Sequence, residues 1–187
     1  DAGVQGGTIV YYKNTGTPTS PVYILVDGAA NPFNGVDVGS NPAPHPMDVD
    51  GDGDLDMIIG NNGFILYYKN IGTPTSPVFV QQDGTANPFD GFDVGFGATP
   101  SPVDADGDGD IDIYVGNQNG KILYYKNMGT STSPVYVKQS GSSNPFEDGS
   151  LSTDMGFMTK PVPVDADGDG DIDMFVGKRD GKILYYE

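Results

Sequence analysis

The chain has 187 residues, a formal net charge of −17, no cysteine, 28 glycines and 15 prolines. The missing cysteine excludes a disulfide framework, a thiol nucleophile and a Cys-based zinc site. The acidity excludes nucleic acid as a partner, because a phosphate backbone needs a basic surface. Nearly all the acid is aspartate, with Glu147 and Glu187 the only glutamates, and with so much glycine and proline this argues against long helices. Hydrophobic residues make up 36%, too many for a disordered acidic tail. No apolar run reaches the roughly 18 residues of a spanning helix, so membrane insertion is not expected. The start at Asp1 without a visible signal peptide is what a processed chain or an excerpt of a longer one would show.

Taken in chain order, one unit recurs. It opens with a strand, Gly-Thr-Ile-Val-Tyr-Tyr-Lys-Asn at Gly7 to Asn14, which returns at Gly63 to Asn70, at Gly120 to Asn127 and, shortened, at Gly181 to Glu187. A Thr-x-Thr-Ser-Pro loop follows (Thr17 to Pro21, Thr73 to Pro77, Thr130 to Pro134), and Pro-Val begins a further strand. Next come Asn-Pro-Phe turns at Asn31, Asn87 and Asn144, whose Phe33, Phe89 and Phe146 are expected to pack between repeats. Asp-x-Gly follows at Asp37, Asp93 and Asp154, each 11 residues before an aspartate cluster. The short apolar runs Met57 to Ile59, Ile113 to Val115 and Met174 to Val176 end in glycine and read as buried strands. Tyr11 to Asp37 and Tyr67 to Asp93 span 26 residues, whereas Tyr124 to Asp154 spans 30. The third copy therefore carries a four-residue insertion, expected as a surface loop over Glu147 to Thr153.

The expected fold is all-β, built of propeller-like blades of four antiparallel strands, with about three repeats and incomplete at both ends. The repeat array divides at 1–42 (a partial repeat), 43–99, 100–160 and 161–187 (a second partial repeat).

The aspartate clusters carry the chemistry. They are Asp48, Asp50, Asp52, Asp54 and Asp56; Asp104, Asp106, Asp108, Asp110 and Asp112; and Asp165, Asp167, Asp169, Asp171 and Asp173. Five carboxylates in nine residues repel one another unless a cation sits among them. Positions 1, 3 and 5 can turn toward one point, and glycine at position 6 permits a sharp turn. Position 7 offers a backbone carbonyl (Asp54, Asp110 or Asp171), and the aspartate at position 9 closes the set. All the donors are oxygen, so calcium is expected at three sites, and zinc is not. An EF-hand needs glutamate at position 12, where this chain has Ile59, Val115 or Val176.

These residues resemble a known family. The Asp-x-Asp-x-Asp-Gly-x-x-Asp loops, the strands ending at Gly60, Gly116 and Gly177, and the Tyr-Tyr strands resemble the FG-GAP or VCBS repeats of bacterial extracellular proteins, related to integrin α-chain propellers. The resemblance implies one calcium per blade, held between its first two strands by the side chains of Asp48, Asp50, Asp52 and Asp56 and their counterparts. It also implies an extracellular, secreted or cell-surface setting.

The function expected is non-enzymatic: a calcium-stabilised module for structure, assembly or adhesion. Complementary incomplete blades are expected to let the chain associate with itself, as a ring or a head-to-tail filament. The alternative is a lectin-like propeller that binds glycans between blades. An enzyme is disfavoured, since the only histidine, His45, has no counterpart in the other repeats and is expected as a surface residue. The Thr-Ser-Pro loops are candidate sites for O-linked sugar, and no Asn-x-Ser/Thr sequon occurs.

Overall fold

The computed structural model describes residues 7–147 and 155–187. Asp154 and most of the expected insertion loop lie outside them.

The described residues form four separate antiparallel sheets. The first pairs β1 (Tyr11–Asn14) with β2 (Tyr23–Val26). The second holds β3 (Ala43–Met47), β4 (Asp56–Asn61), β5 (Phe64–Asn70) and β6 (Phe79–Gln82) in that order. The third repeats it with β7 (Thr99–Val103), β8 (Asp112–Gly116), β9 (Ile122–Asn127) and β10 (Tyr136–Gln139). The last has β11 (Lys160–Val164), β12 (Asp173–Gly177) and β13 (Ile183–Tyr186). Meandering sheets of up to four strands, not closed into a barrel, are the all-β blade architecture expected from the repeat.

The first strand of each blade is the element hardest to read from sequence. Ala43–Met47, Thr99–Val103 and Lys160–Val164 each contain two prolines, a composition that argues against a strand. They are strands because each lies at an edge and pairs on one side only. Proline at alternate positions then costs no ladder bond. His45 belongs to β3, opposite Ile58. It is half-buried rather than a plain surface residue, and burial lowers its pKa from 6.5.

A single asparagine shapes each hairpin. Asn70 Oδ1 accepts from Gly72 N (2.9 Å) and Val78 N (3.0 Å), while Asn127 Oδ1 accepts from Gly129 N (2.9 Å) and Val135 N (2.9 Å). This side chain tightens the Thr-x-Thr-Ser turn, where backbone bonds run both ways between Thr73 and Ser76.

The Asn-Pro-Phe turns join one repeat to the next. Asn87 Nδ2 donates to Ile65 O (3.4 Å) and Asn144 Nδ2 to Ile122 O (3.2 Å), fixing each turn on its own blade. The phenylalanine then reaches the following one. Phe33 stacks on Phe79 at 4.7 Å, Phe89 on Tyr136 at 4.8 Å, and Phe146 meets Tyr186 edge-on at 5.9 Å. The buried clusters follow the same rule. Met47, Ile58 and Tyr67 of one blade pack with Val115, Tyr125 and Tyr136 of the next. Tyr114 and Tyr124 pack in turn with Met174 and Val176.

Burial on both faces, expected for the Tyr-Tyr strands, holds for the two interior copies. β5 and β9 are largely buried, whereas β1 is exposed along its length and β13 alternates between exposed and half-buried.

Candidate metal centres

Each aspartate cluster joins the first two strands of a blade: residues 48–56 join β3 to β4, residues 104–112 join β7 to β8, and residues 165–173 join β11 to β12. The position-1 aspartate folds the loop around itself. Asp48 Oδ1 accepts from Gly51 N (2.8 Å) and its Oδ2 from Gly53 N (3.0 Å). Asp104 makes the same pair with Gly107 and Gly109 (2.9 and 3.0 Å), and Asp165 with Gly168 and Gly170 (2.7 and 3.1 Å). The position-6 glycines turn the chain at φ 90° (Gly53), 90° (Gly109) and 97° (Gly170), a region that disfavours any side chain. The position-5 aspartate accepts from the N–H two residues on, as in Asp54 N to Asp52 Oδ1 at 3.0 Å.

The position-9 aspartate is fully buried in the first two loops. Asp56 Oδ1 accepts from Asn70 N (2.7 Å), and its Oδ2 accepts from Val49 N (3.2 Å) and the Tyr67 hydroxyl (2.9 Å). Asp112 has the same anchors, Asn127 N (2.7 Å) and the Tyr124 hydroxyl (2.8 Å). In the third loop Asp173 Oδ2 accepts from Ala166 N at 2.9 Å. This residue ties the loop to the third strand of its blade. The Tyr-Tyr motif thus has a polar task that its apolar pattern hides: the first tyrosine packs with its ring and holds the closing carboxylate with its hydroxyl. The signal in the sequence is spacing, with tyrosine 11 or 12 residues after each closing aspartate.

Carboxylate oxygens converge within 4.8 Å of one another in each loop, from Asp48, Asp50 and Asp56, from Asp104, Asp106 and Asp108, and from Asp165, Asp167 and Asp173. Such triads can hold a metal ion. The carboxylates of Asp54, Asp110 and Asp171 stand outside these groups, as do those of Asp52, Asp169 and Asp112. The donor chemistry suits a hard cation, being oxygen throughout. Asp50 Oδ1 is also buried without a hydrogen-bond partner, a costly state for an ionised oxygen that a bound cation would relieve.

The field inside the first loop is uneven. Desolvation and then the charges of Asp52, Asp48 and Asp50 raise the pKa of Asp54. Burial raises Asp56 and Asp112 against the pull of their hydrogen bonds. The Asp54 N–H, followed by Lys69, lowers Asp52, and a bond from Lys126 lowers Asp106. These two lysines escaped the sequence reading. Lys69 Nζ contacts the Asp50 carboxylate and lies 3.5 Å from Asp52 Oδ2. Lys126 contacts Asp106 and lies 3.5 Å from Asp108 Oδ2.

Comparison with known proteins gives one family. The chain matches the family described as FG-GAP-like repeat over residues 48–115 and 104–176, each match running from one aspartate loop through the next. No curated protein and no solved structure matches it.

Proposed function

The chain belongs to the FG-GAP-like repeat family, and from that premise we propose that it is a non-enzymatic, calcium-stabilised β-repeat module of structural or adhesive type that works outside the cell. The observation that carries this reading is that all three loops, at the same place in the blade, bring three carboxylates together, always including those at positions 1 and 3. A solvated acidic turn has no reason to recur in register with the same backbone bonds, whereas a metal loop does. Calcium fits because the donors are hard oxygens, the ligand class it prefers. Three divalent ions add six positive charges and take the formal charge from −17 to −11. The setting agrees with a chain that has no helix long and apolar enough to cross a membrane among the described residues, and with family members that occur in extracellular proteins.

Self-association is the finer part of the proposal. It is supported by apolar side chains left in water at β13, where Ile183 is 73% and Tyr185 46% exposed. Sedimentation at rising protein concentration, in calcium and in chelator, tests it; assembly only in calcium is the expected result.

Calcium itself is tested by melting. A ligand bound only by the folded state stabilises it by mass action, about 4 kcal/mol at a thousandfold excess over its dissociation constant. Excess chelator should therefore lower Tm by many degrees. An unchanged Tm, with no calcium retained on a desalted sample, would remove the metal reading.

A further inference from the structure

The first two loops and the third are not electrostatically equivalent. Lys69 stands two residues after Tyr67 on β5, so by strand alternation it projects to the side where the Tyr67 hydroxyl holds Asp56. Its ammonium lies among the carboxylates of Asp50 and Asp52. Lys126 repeats this beside Asp106 and Asp108. In the last blade the residue two after Tyr185 is Glu187, one past the end of β13. One ammonium against five carboxylates leaves a local charge of −4 at each of the first two loops, whereas five carboxylates and Glu187 give −6 at the third.

We infer that Lys69 and Lys126 are tethered counter-cations that compete with a divalent ion for the first two loops, and that Glu187 makes the third loop the tightest site. The inference rests on the calcium reading above and adds an order of occupancy to it. A metal-free loop with its lysine is already partly neutralised, so it gains less from an incoming ion. The ion must also either displace the ammonium from Asp50 or Asp106 or sit beside a like charge. Among the described residues, no lysine pairs with a carboxylate of the third loop. Its repulsion is relieved only from solution, and the added carboxylate deepens its attraction for a cation. The lysine side chains are about one-third exposed (33% and 28%), so the effect is graded and falls with salt.

The test is calorimetric calcium titration of the full chain at low salt. The expected result is one tighter and two weaker sites, with Asp165→Asn abolishing the tighter one. Lys69→Gln and Lys126→Gln should each strengthen one weaker site by about tenfold, the scale of one screened charge a few ångströms from the ion. Glu187→Lys should weaken the tight site by at least as much. Circular dichroism of each variant guards against unfolding as the cause. Three equivalent sites unmoved by the lysine variants overturn this inference and leave the calcium reading standing. A wild-type chain that takes up no calcium overturns both.

Discussion

Gly60 and Gly116 lie against the backbone of the next sheet, whereas Gly177, at the same place in the last repeat, has only its own sheet nearby among the described residues. A Cβ built on Gly60 would meet the Ala98 carbonyl oxygen at 2.1 Å, and one on Gly116 would meet that of Thr159 at 2.3 Å. On Gly177 the nearest atoms stand 3.9 Å away. Nearly identical sequence therefore has different work to do in the two places. In the interior it lets one blade's backbone approach the next; in the last repeat the same glycine stands clear. The apolar strand Ile-Leu-Tyr-Tyr shows the same split, buried as β9 and partly in water as β13.

The most severe way to break this comparison is at the glycines. Gly60→Ala and Gly116→Ala should each cost about 3 kcal/mol, because backbone rather than a flexible side chain must move. Gly177→Ala should stay within about 0.5 kcal/mol. Denaturant titration of the three variants measures it. A Gly177→Ala cost as large as the other two would mean that the Gly177 face of β12 is covered in solution, by another copy or by further chain.

Next in size are the tyrosine hydroxyls. Tyr67→Phe and Tyr124→Phe leave a fully buried carboxylate one partner short and should cost about 2 kcal/mol each. Tyr68, whose hydroxyl bonds Gln81 in a half-buried setting, should lose about 0.5 kcal/mol on the same change. Tyr185→Phe tests the last repeat, where the ring is 46% exposed, and its cost should fall between these. Thermal melts in chelator separate the contribution of the hydroxyl from that of the metal.

The smallest effect is on pH dependence. Burial raises the pKa of Asp56 and Asp112 above the ordinary 3.8, so the folded metal-free chain binds these protons more tightly than the unfolded one. Its stability should rise as pH falls through the raised values toward 3.8. Asp52 and Asp106 are shifted down, so their contribution is lost only below 3.8. Both lie near the surface, where screening keeps it small. With calcium the sign reverses, since protons compete with the ion for the same oxygens. The Tm difference between calcium-loaded and metal-free protein should therefore shrink steadily on acidification. A difference that grows would contradict the assignment of the closing aspartates.

Much of this was legible because repetition multiplies a weak signal. One Asp-x-Asp-x-Asp-Gly loop is a short acidic turn; three in register with apolar strands and Tyr-Tyr pairs specify a blade and place a candidate metal loop within it. The Asn-Pro-Phe turns were readable for the same reason, down to phenylalanines packed between repeats. The proline-rich first strands were not. Local chemistry speaks against them, and only their place at a sheet edge makes them possible. The partners of the closing aspartate were hidden as well, since Tyr67 and Asn70 reach Asp56 only after β4 and β5 have paired.

The sequence by itself determined the unit: its strands, its turns, its acidic loops and the order in which they recur. Those follow from local periodicity, turn chemistry and charge repulsion, which act over a few residues and need no partner. Tertiary structure decided which copies of that unit are buried and which glycines must stay bare. These depend on the blade that lies alongside, and a repeat cannot record its neighbours in its own residues.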